Sequence, residues 1–134
     1  MSNQRAVWMD GTQARVFHVR PDAFDESTVE APSFHVHRHP KDQMTRTHHH
    51  PDDERKFFHE VADHLMGAEQ ILLLGPSVTK LLFLRYLQAK APALEARVVG
   101  LETVDHPTDR QIVAHVRRYF RAVGADPDGR PAGQ

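Results

Sequence analysis

The sequence predicts a single α/β domain built on one mixed five-stranded sheet with helices on its faces. The chain has 134 residues, which is the size of one domain, and its 40 % hydrophobic content is enough for a sizeable core. At the start of the chain, apolar and polar residues alternate as in β-strands. Further along, segments with this alternation are interleaved with segments whose apolar residues recur with helical spacing. We therefore expect the element order β-β-β-α-β-α-β-α, with residues 1–123 forming the domain and residues 124–134 a loose tail.

The first part of the chain is interpreted as three antiparallel strands. Arg5–Asp10 is short and apolar, Ala14–Arg20 alternates between apolar and polar residues, and Gly11-Thr12 between them indicates a hairpin turn. The third strand, about Thr28–Val36, contains Pro32, which cannot donate to a neighbouring strand. We therefore expect the third strand at an edge of the sheet.

The rest of the chain alternates between helices and strands. Acidic residues follow Pro51, where the apolar spacing becomes helical, and Gly67 is expected to end that helix. Thr108 is a natural N-cap for the last helix. The predicted elements are a helix from Pro51 to Gly67, a buried strand Gln70–Leu74, a helix from Gly75-Pro76-Ser77 to about Ala89, a strand Leu94–Glu102 and a helix after Thr108.

This order of elements is that of the ribonuclease-H-like three-layer fold, and three segments carry a closer resemblance. They are AVWMDGTQARVFHV, ILLLGPSVTKLLFLRYLQ and ARVVGLETVDHPTDRQIVAHVRRYF. They resemble the small bacterial proteins called translational machinery proteins. Those proteins are in turn similar to the middle domain of archaeal and eukaryotic peptide release factors and of Pelota. The resemblance runs from about Arg5 to Phe120 and implies a partner in the ribosome or its RNA.

The release-factor motif Gly-Gly-Gln is absent from the place where the resemblance would put it. In release factors this motif lies in the loop between the third strand and the first helix, which here is His35–Pro51. The only similar string, Ala132-Gly133-Gln134, ends the chain on the wrong side of the fold order. The resemblance therefore implies a non-catalytic translation-associated module, closer to Pelota than to the release factors.

The loop His35–Pro51, HVHRHPKDQMTRTHHHP, is the strongest local signal in the sequence. Imidazole and guanidinium groups stack on bases and contact phosphates, which favours RNA binding. A dense imidazole cluster could instead hold zinc, nickel or copper. A third interpretation is a solvated loop with no ligand. The candidate RNA contacts are Arg38, His39, Lys41, Arg46, His48, His49 and His50, and the candidate metal ligands are His35, His37 and His39.

The last helix supplies a second candidate basic surface. Arg110, Arg117 and Arg121 follow the spacing i, i+7 and i+11, which places them on one helical face. Such a face could contact RNA phosphates, or it could be the solvated outside of an amphipathic helix. Both interpretations remain open at this point.

A nuclease of the ribonuclease-H type is the alternative enzyme hypothesis. Such enzymes hold two magnesium ions with carboxylates on the first strand, the first helix and the fourth strand. Asp10 and Glu60 could fill the first two places, but the fourth strand ends in Leu74-Gly75 without a carboxylate. Asp10 is more simply explained as a residue of the hairpin turn.

The amino-acid composition excludes several further classes of protein and of functional site. The chain has no cysteine, which excludes disulfides, thiolate zinc sites and cysteine catalysis. It begins without the apolar stretch of a secretory signal and contains no long apolar run, so we expect a cytoplasmic protein without a membrane partner. The segment LLFLRYL is apolar nearly all round, which leaves homodimer formation open.

Overall fold

The computed structural model describes residues 3–31 and 51–122, which form one five-stranded sheet covered by helices on both faces. The strand order in the sheet is β3-β2-β1-β4-β5. The predicted α/β class and the predicted order of strands and long helices are confirmed. The elements in chain order are β1 Gln4–Met9, β2 Gln13–Val19, β3 Phe24–Glu30, α1 Pro51–Asp63, β4 Gln70–Gly75, α2 Thr79–Lys90, α3 Pro92–Glu95, β5 Val98–Thr103 and α4 Asp109–Ala122.

The sheet combines an antiparallel half with a parallel half. Strands β1, β2 and β3 pair antiparallel, whereas β4 pairs parallel with β1 and with β5. The β1–β2 turn forms because Asp10 Oδ1 accepts hydrogen bonds from the backbone N–H groups of Thr12 at 2.9 Å and Gln13 at 3.1 Å. This geometry confirms Asp10 as a turn residue.

Side chains of the two central strands alternate between two separate apolar layers. On one face Val7, Met9 and Leu73 pack with α1 and α2 through residues that include Phe58 and Phe83. On the opposite face the layer is Ala6, Trp8, Phe17, Val19, Leu72 and Leu74 with Ile112, Val113, Val116 and Phe120 of α4. Because β1 and β4 are covered on both sides, they fix the position of every other element.

Two strand boundaries differ from the prediction. The third strand begins at Phe24, four residues before the predicted start at Thr28, and it lies at the sheet edge as expected. Its acidic side chains Asp25 and Glu26 are exposed, which hides the strand pattern in the sequence. The last strand begins at Val98, not at Leu94, because Leu94 is buried in the short helix α3.

The end of α1 and the start of α4 follow the predicted signals, whereas α2 begins at Thr79, after the predicted start at Gly75-Pro76-Ser77. Gly67, at φ +89°, adopts a left-handed conformation shortly after α1 ends. At the start of α4 the Thr108 hydroxyl accepts a hydrogen bond from the Gln111 N–H at 3.2 Å. The Gln111 side-chain oxygen accepts one in return from the Thr108 N–H at 2.9 Å. The predicted N-cap is therefore confirmed.

Several predictions fall wholly or partly on residues that the structure does not describe. Residues 32–50, with Pro32 and nearly all of the His-rich loop, and residues 123–134, with the expected tail, lie outside the described ranges. Within residues 3–31 and 51–122 no helix is long and apolar enough to cross a membrane. Helix α2 buries Phe83 and Leu87 and leaves Leu81 and Leu82 partly exposed, so homodimer formation through this helix remains a prediction.

We predict that Gly75→Ala destabilises the domain. A Cβ at Gly75 would lie 2.2 Å from the Met9 carbonyl oxygen, so β1 and β4 would have to move apart. The expected cost is about 2 kcal/mol or more in the free energy of unfolding, measured by urea denaturation. The matched control is Gly11→Ala, where nothing lies within 4 Å of the added Cβ. Equal stability of the two variants would contradict the close β1–β4 contact.

Candidate nucleic-acid interface

The structure describes three of the predicted RNA-contacting residues, and it places them at two ends of α4. Arg110 lies in the first turn, whereas Arg117 and Arg121 lie in the last two turns. Arg110 and Arg121 are eleven positions apart, which corresponds to about 16 Å along the helix axis. The structure thus brings Arg117 and Arg121 together and leaves Arg110 apart. The loop candidates Arg38, His39, Lys41, Arg46, His48, His49 and His50, and the metal candidates His35, His37 and His39, lie outside the described residues.

Helix α4 is fixed on the sheet by its apolar face. Ile112, Val113, Val116 and Phe120 are buried against β1, β2 and β4. The helix carries its arginines on the other sides, so their backbone positions are determined by the core. Arg110 and Arg121 are exposed and Arg117 is half-buried.

Arg117 joins α4 to the turn between β2 and β3. Its guanidinium donates to the Arg20 carbonyl oxygen from Nη2 at 2.7 Å and from Nε at 3.2 Å, and Nη2 also donates to the Ala23 carbonyl oxygen at 3.0 Å. These three contacts hold the guanidinium in a fixed orientation. They also hold the β2–β3 turn against the end of α4.

A small pocket of about 130 Å³ lies beside this junction, and three arginines line it. We call it the arginine pocket; its lining residues are Gln4, Val19, Arg20, Pro21, Arg117, Phe120 and Arg121. The guanidinium of Arg20 forms an exposed ion pair with Asp25 at 2.7 Å. Buried Gln4 donates from its side-chain amide to Gln70 at 2.9 Å, which ties the pocket to the amino ends of β1 and β4.

On the opposite face of the sheet, the antiparallel pairing brings two more basic side chains together. Arg5 of β1 lies opposite His18 of β2, and His18 lies opposite Asp25 of β3. Partial burial lowers the pKa of His18, and the positive charges of Arg5 and Arg20 lower it further, while Asp25 acts in the opposite direction. Folding therefore favours the neutral form of His18 relative to the unfolded chain.

Sequence reasoning missed Arg20 as a member of the arginine pocket, and it missed the pairing of Arg5 with His18. The signal was present in the hairpin, because strands joined by a tight turn pair in a defined register. Once that register is fixed, Arg5 and His18 become cross-strand neighbours. The contact between Arg117 and Arg20 joins residues 97 positions apart, and no local pattern predicts it.

The carboxylates considered for a nuclease lie in different environments. Burial alone would raise the pKa of Asp10. Hydrogen bonds from Thr12 and Gln13 in the β1–β2 turn, together with the charge of His106, outweigh burial and lower this pKa. Glu60 is exposed on α1. Among residues 3–31 and 51–122 no group of three or more His, Cys, Asp or Glu side chains is placed to hold a metal ion.

Comparison with solved structures identifies the fold. The Pelota protein of Thermoplasma acidophilum matches with a TM-score of 0.59 and 18 % identity over 89 % of this chain and 32 % of its own. An archaeal translation termination factor, aRF1, matches with a TM-score of 0.56 and 16 % identity over 91 % of this chain and 38 % of its own. Dom34 of S. cerevisiae matches with a TM-score of 0.52 and 12 % identity over 75 % of this chain and 29 % of its own.

This is a fold shared with Pelota and aRF1. The structural similarity expected from the sequence is confirmed, and at this level of identity it establishes the fold. The chain spans about a third of the length of these proteins. No known family profile matches the chain, and no curated protein sequence matches it.

We predict that His18 makes the fold less stable in mild acid. Because its pKa is lowered on folding, the unfolded chain binds the proton more tightly, so stability falls as the pH drops below the ordinary histidine value of 6.5. The variant His18→Gln should lose less thermal stability than the wild type between about pH 7.5 and 5.5. The control His59→Gln removes an exposed histidine from α1. If the pH dependence of thermal stability in His18→Gln equalled that of the wild type, the lowering of the His18 pKa by burial and by Arg5 and Arg20 would be contradicted.

Proposed function

We propose that residues 1–123 form a non-catalytic, translation-associated module that contacts ribosomal RNA. The observation that carries this proposal is the arginine pocket, which Arg20, Arg117 and Arg121 line. Planar guanidinium groups are the side chains best suited to bind phosphate oxygens through paired hydrogen bonds. The fold supports a setting in translation, since it occurs in a translation termination factor and in a termination-like factor of RNA quality control.

The arginines of the pocket retain donors for a ligand. Within the described residues, the hydrogen bonds of Arg117 engage Nε and Nη2, and the ion pair of Arg20 engages Nη1. Arg121 is exposed at the rim. The N–H groups outside these interactions can donate to phosphate oxygens while Arg117 stays fixed by the β2–β3 turn. A phosphate would meet one guanidinium, that of Arg117, whose orientation is already set, which reduces the entropic cost of binding.

The second proposed contact is the segment that joins β3 to α1. Its sequence from His35 to Pro51 contains six histidines together with Arg38, Lys41 and Arg46. These side chains can stack on unpaired bases and contact the backbone of RNA. The resemblance to release factors implies that the corresponding loop is a working part of such domains, and the absence of Gly-Gly-Gln favours contact without peptide release.

We predict that Arg121→Gln weakens binding to ribosomes in a salt-dependent manner. Removal of one ion pair with a phosphate should reduce the slope of log affinity against log salt by about one unit. The measurement is co-sedimentation of the protein with ribosomes over a series of potassium concentrations. The control Arg85→Gln removes an exposed arginine from α2 and should keep the wild-type slope. Equal slopes for both variants and the wild type would remove the arginine pocket from the interface.

We predict that the loop histidines make RNA binding dependent on pH. Histidines near the ordinary pKa gain positive charge as the pH falls, so affinity should be higher at about pH 6 than at about pH 8 at fixed salt. Replacement of His35, His37, His39, His48, His49 and His50 by Ala should flatten this dependence. The measurement is fluorescence anisotropy with labelled ribosomal RNA fragments. A pH response that survives the replacement would contradict the loop as a contact surface.

A further inference from the structure

The end of the sheet opposite to the arginine pocket carries a cleft of about 380 Å³. It lies at the carboxyl end of β4 and beyond the end of β5, where α/β proteins usually bind their ligands. We call it the histidine cleft; its lining residues are Leu74, Val104, Asp105, His106, Pro107, Gln111, Ile112 and His115. From the sequence, Asp105–Thr108 is interpreted as a turn with Thr108 as the cap of the last helix, and this interpretation does not predict a cleft.

One side of the cleft is formed by His106, which is held from three directions. Its ring packs on Trp8 with the ring centroids 5.1 Å apart. Its Nδ1 lies 3.0 Å from Asp105 Oδ1, and its Nε2 lies 3.7 Å from Asp10 Oδ2. The indole N–H of Trp8 donates to the Asp105 carbonyl oxygen at 2.7 Å, which fixes the backbone that carries both residues. His106 is thus an imidazole between two carboxylates.

The other side is formed by a second imidazole–carboxylate pair. His115 Nε2 of α4 lies 2.6 Å from Glu102 Oε1 of β5, and about a third of each side chain is exposed. Burial and the charge of Glu102 raise the pKa of the neighbouring Tyr119, whose hydroxyl donates to the Val99 carbonyl oxygen. The phenol therefore stays neutral and adds no negative charge beside the Glu102–His115 pair.

The charges around the cleft favour a cation. Three carboxylates, Asp10, Asp105 and Glu102, contact its two imidazoles, and no lysine or arginine is among its described lining residues. Arg15, which packs on the same indole as His106, is engaged: it forms an ion pair with Asp109 at 2.6 Å, and its guanidinium lies 4.7 Å from the centroid of the Trp8 ring. An anionic ligand such as an RNA phosphate would be repelled here.

The interior of the cleft is apolar. Leu74, Val104 and Ile112 line it between the two imidazole–carboxylate pairs. Apolar side chains provide no ligand for a hydrated metal ion, and the described residues contain no group of three metal-ligating side chains. A ligand with a methylene chain and an ammonium group matches both features, because the chain would cover the apolar side chains and the ammonium would pair with a carboxylate.

We propose that the histidine cleft binds a free aliphatic polyamine. One ammonium group lies beside Glu102 and His115, a second lies beside Asp105 and His106, and the methylene chain between them covers Leu74, Val104 and Ile112. Protonation of the two histidines opposes this binding, since each proton adds a positive charge next to the ligand. The site therefore responds to pH in the direction opposite to the RNA contacts, and it does not depend on the proposed function.

The test is isothermal titration calorimetry of the full chain with spermidine at about pH 8 and low salt. We expect saturable binding to one site, weaker by about tenfold in Glu102→Gln, which corresponds to the loss of one ion pair. The control Glu60→Gln removes an exposed carboxylate from α1 and should bind as the wild type does. His106→Gln, a change at an exposed ring, should reduce the pH dependence without loss of folding measured by circular dichroism.

Three results would overturn the proposal. The first is the absence of saturable binding by spermidine. The second is equal weakening in Glu60→Gln and Glu102→Gln, which would indicate attraction to general surface charge. The third is equal or tighter binding of magnesium alone, or of a lysine-rich peptide, at the same ionic strength, which would assign the cleft to a metal ion or to a protein partner. None of these results bears on ribosome binding, which is measured separately.

Discussion

The parallel pairing of β1 with β4 is the constraint on which the rest of the molecule depends. The two strands are covered on both faces, with Val7 and Leu73 in one apolar layer and Trp8 and Leu72 in the other. Their close approach near the carboxyl end requires a residue without a side chain, and Gly75 meets the Met9 carbonyl there. With this pair fixed, β2 and β3 extend the sheet on one side and β5 extends it on the other.

The same pairing separates two surfaces of opposite character. The amino ends of the parallel strands lie beside the arginine pocket, where Gln4 of β1 bonds Gln70 of β4. The carboxyl ends lie beside the histidine cleft, where Asp10 and Asp105 contact His106 and Glu102 contacts His115. A near-neutral chain, with a formal charge of −1, therefore presents arginines at one end of the sheet and carboxylates at the other. Net charge alone is a poor guide to the partners of such a domain.

Much of the fold could be predicted from the sequence, because most of its elements follow strong local rules. The turn at Asp10, the buried run in β4 and the cap at Thr108 each have a local cause. The third strand starts earlier than its pattern predicts because its exposed acidic residues conceal the alternation, and α3 escapes prediction because four residues are too short for a helical period.

The candidate sites were harder to predict because they depend on contacts between distant segments. The spacing in the sequence predicts Arg117 and Arg121, but the orientation of Arg117 depends on carbonyl groups in the β2–β3 turn. Likewise, His106 is placed in the cleft by Trp8, which lies 98 positions earlier in the chain. Periodicity describes one element at a time, whereas these sites form where several elements meet.

The most direct test of ribosome contact uses the absence of cysteine in the chain. A single cysteine at exposed Ala122, next to Arg121, can carry an iron chelate that cleaves nearby RNA through hydroxyl radicals. A matched cysteine at exposed Val78 places the same probe after the carboxyl end of β4. We predict cleavage of ribosomal RNA at defined positions from residue 122 and not from residue 78. Absence of cleavage from both positions, or the same cleavage from both, would contradict the proposal that the arginine pocket faces ribosomal RNA.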